Sequence, residues 1–153
     1  MSTEELPNGP DQDEMIRLIQ ERWPDAAVAR IDGAIFFSLD DKHWPNFATI
    51  VWKDDFDEGA VSNLTARPGV YRVNVGVDKV TLARLVGSLA DPDYAAFDRF
   101  LPHPVYARQR WISILNPSHA TVADELLPLI TAAHDRLVAQ RERSETLRRG
   151  RMT

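Results

Sequence analysis

The chain has 153 residues, no cysteine and a formal net charge of −5. That length suits one domain, burying roughly two thirds of the surface its unfolded form exposes, and the absent cysteines exclude disulfides, thiolate metal sites and cysteine nucleophiles. No apolar run approaches the ~20 residues of a membrane span, and the acidic start MSTEELPNGPDQDEM is the reverse of a signal peptide, so a cytoplasmic protein with no membrane partner is expected.

From the N-terminus, residues 1–10 are polar, with two prolines and a glycine, and are expected to be mobile. Asp11 or Asp13 caps a helix to about Arg22, with Met15, Ile16, Leu18, Ile19 and Trp23 at 3/4 spacing and Pro24 ending it. In AVARIDGAIFFSL, Asp32-Gly33 separates two apolar runs and permits a type I′ turn, which predicts a hairpin over about 27–39. Asp40 to Asn46 reads as a loop and FATIVWK as a third strand, followed by the long acidic excursion DDFDEGAVSNLTARPG. VYRVNVGV then alternates strictly, placing Tyr71, Val73, Val75 and Val77 on one face and Arg72, Asn74 and Gly76 on the other.

Asp78 caps a helix to about Leu89, and Asp91 to Phe100 suggests a second, short one. The stretch LPHPVYARQRWISILNPS acts as a joint that delivers a fifth strand, WISILN, and launches a final helix capped by Ser118 or Thr121. That helix carries an apolar stripe of Val122, Leu126, Leu129, Ile130, Ala133, Leu137 and Val138, with Pro128 inside it predicting a kink or a delayed first turn. Beyond Ala139 the periodicity fades. Strands and helices that do not alternate as βαβ units imply an α+β fold: an antiparallel sheet of about five strands with helices packed on one face, the other face or an edge being available. Residues 11–140 form the single domain, flanked by the acidic segment 1–10 and a basic helix end or tail, 141–153.

The segments RPGVYRVNVGV (67–77), LPHPVYARQRW (101–111) and LNPS (115–118), together with FATIVWKDD (47–55), resemble in order and spacing a family of uncharacterised bacterial proteins, domain-of-unknown-function family 6194, over about residues 12–140. More distantly, the aromatic strand Trp111 to Leu115 followed by AHDRLV at 133–138 is similar to MmcQ/YjbR-like proteins. That likeness implies a compact antiparallel sheet with flanking helices, compared to frataxin-like and double-wing DNA-binding folds. Neither resemblance implies an activity, because a fold does not define a site.

The residues themselves suggest one small site. Arg72 and Asn74 share a strand face, Thr49 and Lys53 share another, and together they offer a guanidinium, an amide and an ammonium to a carboxylate or phosphate. The bland alternative is a solvated sheet face. His103, held between Pro102 and Pro104, is a candidate proton donor with an ordinary pKa, set against a turn histidine bonding nearby backbone. Tyr106 and Trp111 would wall the same pocket, or serve as plain core.

The remaining motifs carry less. His43, His103, His119 and His134 have no metal-ligand spacing, and DDFDEG fails as a calcium loop because Gly59 falls at position 5 and Ala66 at position 12. Ser88 is not in a nucleophile elbow and no glycine-rich phosphate loop exists, so no metal and no cofactor is expected. Residues 141–153 carry Arg141, Arg143, Arg148, Arg149 and Arg151 against Glu142 and Glu145, in a chain whose basic residues are nearly all arginine. The overall charge argues against wholesale nucleic-acid binding and leaves this end as its one candidate contact. Two functions are therefore weighed: binding of a small anionic or polar ligand near Arg72, Asn74 and His103, or a DNA- or protein-interaction module built on the basic C-terminus. A monomer, or a homodimer through an exposed sheet edge or face, is compatible with either.

Overall fold

The computed structural model describes residues 5–40 and 45–151; the residues on either side and residues 41–44, His43 among them, lie outside the described residues. Asp32-Gly33 turns the chain as its composition requires, so that β1 (Ala27–Ile31) and β2 (Ala34–Ser38) pair antiparallel across it. Only Gly33 takes a left-handed φ, +90°, so the turn departs from type I′, which needs one at both central residues. A Cβ on Gly33 would stand 2.8 Å from the Lys53 side chain, which keeps that position glycine.

β2 pairs with β3 (Asn46–Val51), β3 with β4 (Arg72–Gly76), β4 with β6 (Trp111–Leu115), and β6 with the two-residue β5 (Leu101–Pro102). All pairings are antiparallel, in the order β1-β2-β3-β4-β6-β5, giving an open six-stranded sheet with helices in an α+β arrangement. The strand beyond the five expected is β5, hidden from sequence reading by its length and its proline.

One sheet face packs against helices. α1 (Gln12–Arg22) is capped by the Asp11 side chain and buries Met15, Ile16 and Ile19. α2 (Lys79–Val86) is capped by Asp78 and buries Val86. Ile35, Ile50, Val73, Val75, Ile112 and Ile114 supply the sheet side of this core, and Leu126, Ile130 and Ala133 close it. The last helical stretch opens as α3 (His119–Thr121), capped by Ser118, widens into a π turn at Val122–Leu126 and continues as α4 (Leu127–Arg151). Pro128 lacks the N–H for the Asp124 carbonyl and would crowd it, and the wider turn just ahead relieves that contact.

Three details differ from the sequence pattern. Residues 91–100 form no helix, because Asp91 and Asp98 both take φ +52°; Phe97 instead bridges to Leu115, and the Asp98 carboxylate accepts from the Ser118 amide. The N-terminal segment is docked from Asn8 onward: the Asn8 carbonyl accepts from His119 N–H, and Tyr71 donates its hydroxyl to the Pro10 carbonyl at 2.7 Å. α4 carries on past Ala139 to Arg151, its residues 142–151 all exposed.

The second sheet face is covered by irregular chain. Leu64, Val70, Phe56 and Phe97 pack over Ala34, Val51, Leu101 and Leu115. Alternation along β4 identifies the residues that share this face and is silent on what lies above it, so the open ligand face suggested by the pattern is here closed by the acidic excursion.

Candidate functional site

Under that cover, the register brings polar side chains into one row. Thr49 of β3 stands opposite Asn74 of β4, which stands opposite Ser113 of β6. Asn74 Nδ2 donates to Thr49 Oγ1 at 2.9 Å, while its Oδ1 accepts from Ser113 Oγ at 2.7 Å and from Arg72 Nε at 2.9 Å. The rest of the Arg72 guanidinium turns outward into the excursion, with Nη1 and Nη2 each donating to a different oxygen of Asp57 at 2.8 Å and Nη1 also donating to Ser62 Oγ at 3.0 Å. Arg72 and the Asp57 side chain are 1% and 0% exposed. A buried guanidinium requires this: five donors in a dry site are tolerable only with an anion and fixed acceptors around them.

The excursion that brings Asp57 is itself tied down. The Asp54 carboxylate accepts from the amides of Leu64 and Thr65, and Thr65 Oγ1 accepts from the Asp54 amide. Arg67 donates to the carbonyls of Asn63, Ser62 and Ala95. Between those ties Asp55, Glu58, Gly59, Ala60 and Val61 are exposed, and the side chains of Phe56, Asp57 and Ser62 reach inward.

His103 lies beside this group. Its amide bonds the Trp111 carbonyl, which continues the pairing of β5 with β6 and puts the ring on the covered face, two residues along from Leu101. Nδ1 accepts from the amides of Val105 and Tyr106, both at 3.0 Å, so the proton of the neutral ring sits on Nε2. Burial and then the Arg72 guanidinium push its pKa down to about 4, with Asp57 partly opposing. At neutral pH His103 is thus an uncharged hydrogen-bond donor, not the near-neutral proton donor its sequence setting suggests. It is 6% exposed, and Nε2 has no partner among the described residues. The sealed, unsatisfied side-chain atom among those residues is Asn46 Oδ1, so Nε2 keeps contact with solvent.

The sequence candidates therefore separate into three groups. His103, Tyr106 and Trp111 come together: the Tyr106 ring, half exposed, lies 5.0 Å from the His103 ring, and the Trp111 indole lies over Gly76, within 3.6–3.9 Å of where a Cβ would stand. Arg72 and Asn74 are buried in the polar row, with Arg72 near enough to act on the His103 charge. Lys53 belongs elsewhere, bonded to both oxygens of Asp32 at 2.8 Å beside the hairpin turn. Asp57 and Ser62 were missed by sequence reasoning, although an arginine on a strand followed and preceded by apolar residues signals a need for a counter-ion, and the nearest acidic loop is its natural source. Among the described residues no group of three or more His, Asp or Glu is placed to hold a metal, and no helix is long and apolar enough to cross a membrane.

Comparison with known proteins adds a family and no activity. Residues 10–146 match the model of a family of unknown function, DUF6194, whereas no curated protein and no solved structure matches.

Proposed function

The chain belongs to the DUF6194 family, and from that premise we propose that it is a binding domain for a small anionic or polar ligand, seated at His103 between Tyr106 and Trp111. One observation carries this reading: a histidine that is 6% exposed, pinned through Nδ1 by two backbone amides, presents Nε2–H without an acceptor among the described residues. Such a donor suits a carboxylate, phosphate or carbonyl oxygen. The half-exposed Tyr106 and the more buried Trp111 supply apolar walls for the remainder of the ligand. The likeness to MmcQ/YjbR-like proteins contributes a fold analogy and no site.

The test is a thermal-shift screen of small carboxylates and phosphates against the wild type and His103→Asn. Asparagine places Oδ1 where Nδ1 accepts and removes the Nε2 donor. A ligand at 100 times its dissociation constant adds roughly 2.7 kcal/mol to wild-type stability. An equal response in His103→Asn would refute the reading.

The exposed end of α4 favours a second reading. Residues 142–151 are all exposed and carry Arg143, Arg148, Arg149 and Arg151 against Glu142 and Glu145, a surface suited to docking on an acidic partner, DNA included. DNA affinity at low salt that survives removal of residues 142–153 would dismiss it.

A further inference from the structure

The contact between Arg72 and Asp57 has the form of ligand recognition. Both carboxylate oxygens meet the guanidinium edge at 2.8 Å, Ser62 Oγ sits 3.0 Å from Nη1, and Asn74, braced by Thr49 and Ser113, fixes Nε. That is a planar, two-pronged seat for one carboxylate, built into the sheet and held rigid from behind. Its occupant is different in kind, because Asp57 hangs from a surface loop whose neighbouring residues 58–61 are all exposed, among them Gly59 at φ +87° with no atom within 4 Å of a Cβ position. The ties of Asp54 to Leu64 and Thr65, and of Arg67 to the Ser62 and Asn63 carbonyls, close the base of that loop, so segment 57–61 can lift without undoing the base. A buried ion pair is in addition a poor stability device, since apolar residues of equal volume commonly do as well or better.

We infer that Asp57 is a built-in stand-in for a carboxylate ligand: it fills the Arg72 seat in the free protein, and a small carboxylate bound at His103 takes its place when segment 57–61 lifts. This rests on the His103 reading and deepens it by naming the ligand class and the residues that would grip it. Arg72 binds the carboxylate edge-on, the Ser62 hydroxyl flanks it, and His103 Nε2–H donates to a further oxygen elsewhere on the same ligand.

The experiment empties the seat and offers formate. Asp57→Ala removes the internal carboxylate, and Asp57→Ala/Arg72→Met removes the seat as well. Thermal unfolding of both is followed with rising formate, using chloride at equal ionic strength as the reference. At twenty times its dissociation constant, formate shifts the folding equilibrium of Asp57→Ala about twentyfold and leaves the double variant unmoved; equal responses overturn the inference. Should Asp57→Ala not fold, Asp57→Asn keeps the shape without the charge. There formate should speed amide exchange across 57–61 while slowing it in β4 and β6, and an exchange pattern identical in formate and chloride again overturns the proposal. Formate failing on these variants while the His103-dependent ligand response of the wild type persists would remove the seat alone. Formate rescue without any His103-dependent response would keep the seat and remove the site at His103.

Discussion

Asp57 and Arg72 hold each other through two hydrogen bonds of 2.8 Å, between side chains that are 0% and 1% exposed. Removing either partner alone leaves a buried charge without its counter-ion. Arg72→Met and Asp57→Ala are each expected to cost about 3–5 kcal/mol, and Arg72→Met/Asp57→Leu clearly less than their sum. Urea unfolding of the four proteins measures the coupling, and additive costs would contradict the pairing.

Stability should fall with acid through His103. Its folded pKa, about 4, lies below the ordinary 6.5, so between those values the unfolded chain takes up a proton that the folded chain refuses. The contribution is complete above about pH 6.5, is lost as pH drops towards 4, and amounts to about 3 kcal/mol. Carboxylates titrate in the same window, so the measurement is the difference between wild type and His103→Asn at pH 7.5 and 4.5. A difference independent of pH would contradict the buried neutral ring.

The two ring nitrogens have separate duties, and amide side chains can tell them apart. His103→Gln leaves the amides of Val105 and Tyr106 without the acceptor they now have at 3.0 Å and should cost about 1–3 kcal/mol. His103→Asn, which restores an acceptor there, should cost less than His103→Gln in denaturant unfolding. The reverse order would show that Nε2 carries the structural bond.

Deleting residues 142–153 should leave stability within about 0.5 kcal/mol of wild type while lowering the helical signal in far-ultraviolet circular dichroism. α4 is tied to the body upstream of the cut, by Arg136 donating to the Gly76 carbonyl at 2.7 Å and Arg141 pairing with Asp40 at 2.8 Å. A large loss of stability would mean that the exposed turns are supported in a way the packing of α4 does not account for.

Where local chemistry decides the structure, the sequence could be read. The Asp32-Gly33 hairpin, the inward face of β4 and the Asp11 and Asp78 caps all follow from rules spanning a few residues. Tertiary contacts decide what was unreadable. Arg72 and Asn74 share a face by period two, but whether that face meets water or a loop depends on Asp57, fifteen positions away. Asp98 in a left-handed turn looks like one more helical residue until its carboxylate is seen receiving the Ser118 amide. His103 was legible as a positioned ring, and its proton affinity was not, because burial and Arg72 set it.

Asn74 reaches sideways to Thr49 on one neighbouring strand and to Ser113 on the other. Sliding β4 by one residue would send that amide into the Val73–Val75 side of the sheet, among apolar side chains with no partner for it, and sliding β3 or β6 would take Thr49 or Ser113 away from it. The polar row is thereby an alignment key: misthreaded sheets, which a run of interchangeable valines and isoleucines would tolerate, are penalised at one central position while the chain is still choosing its pairings.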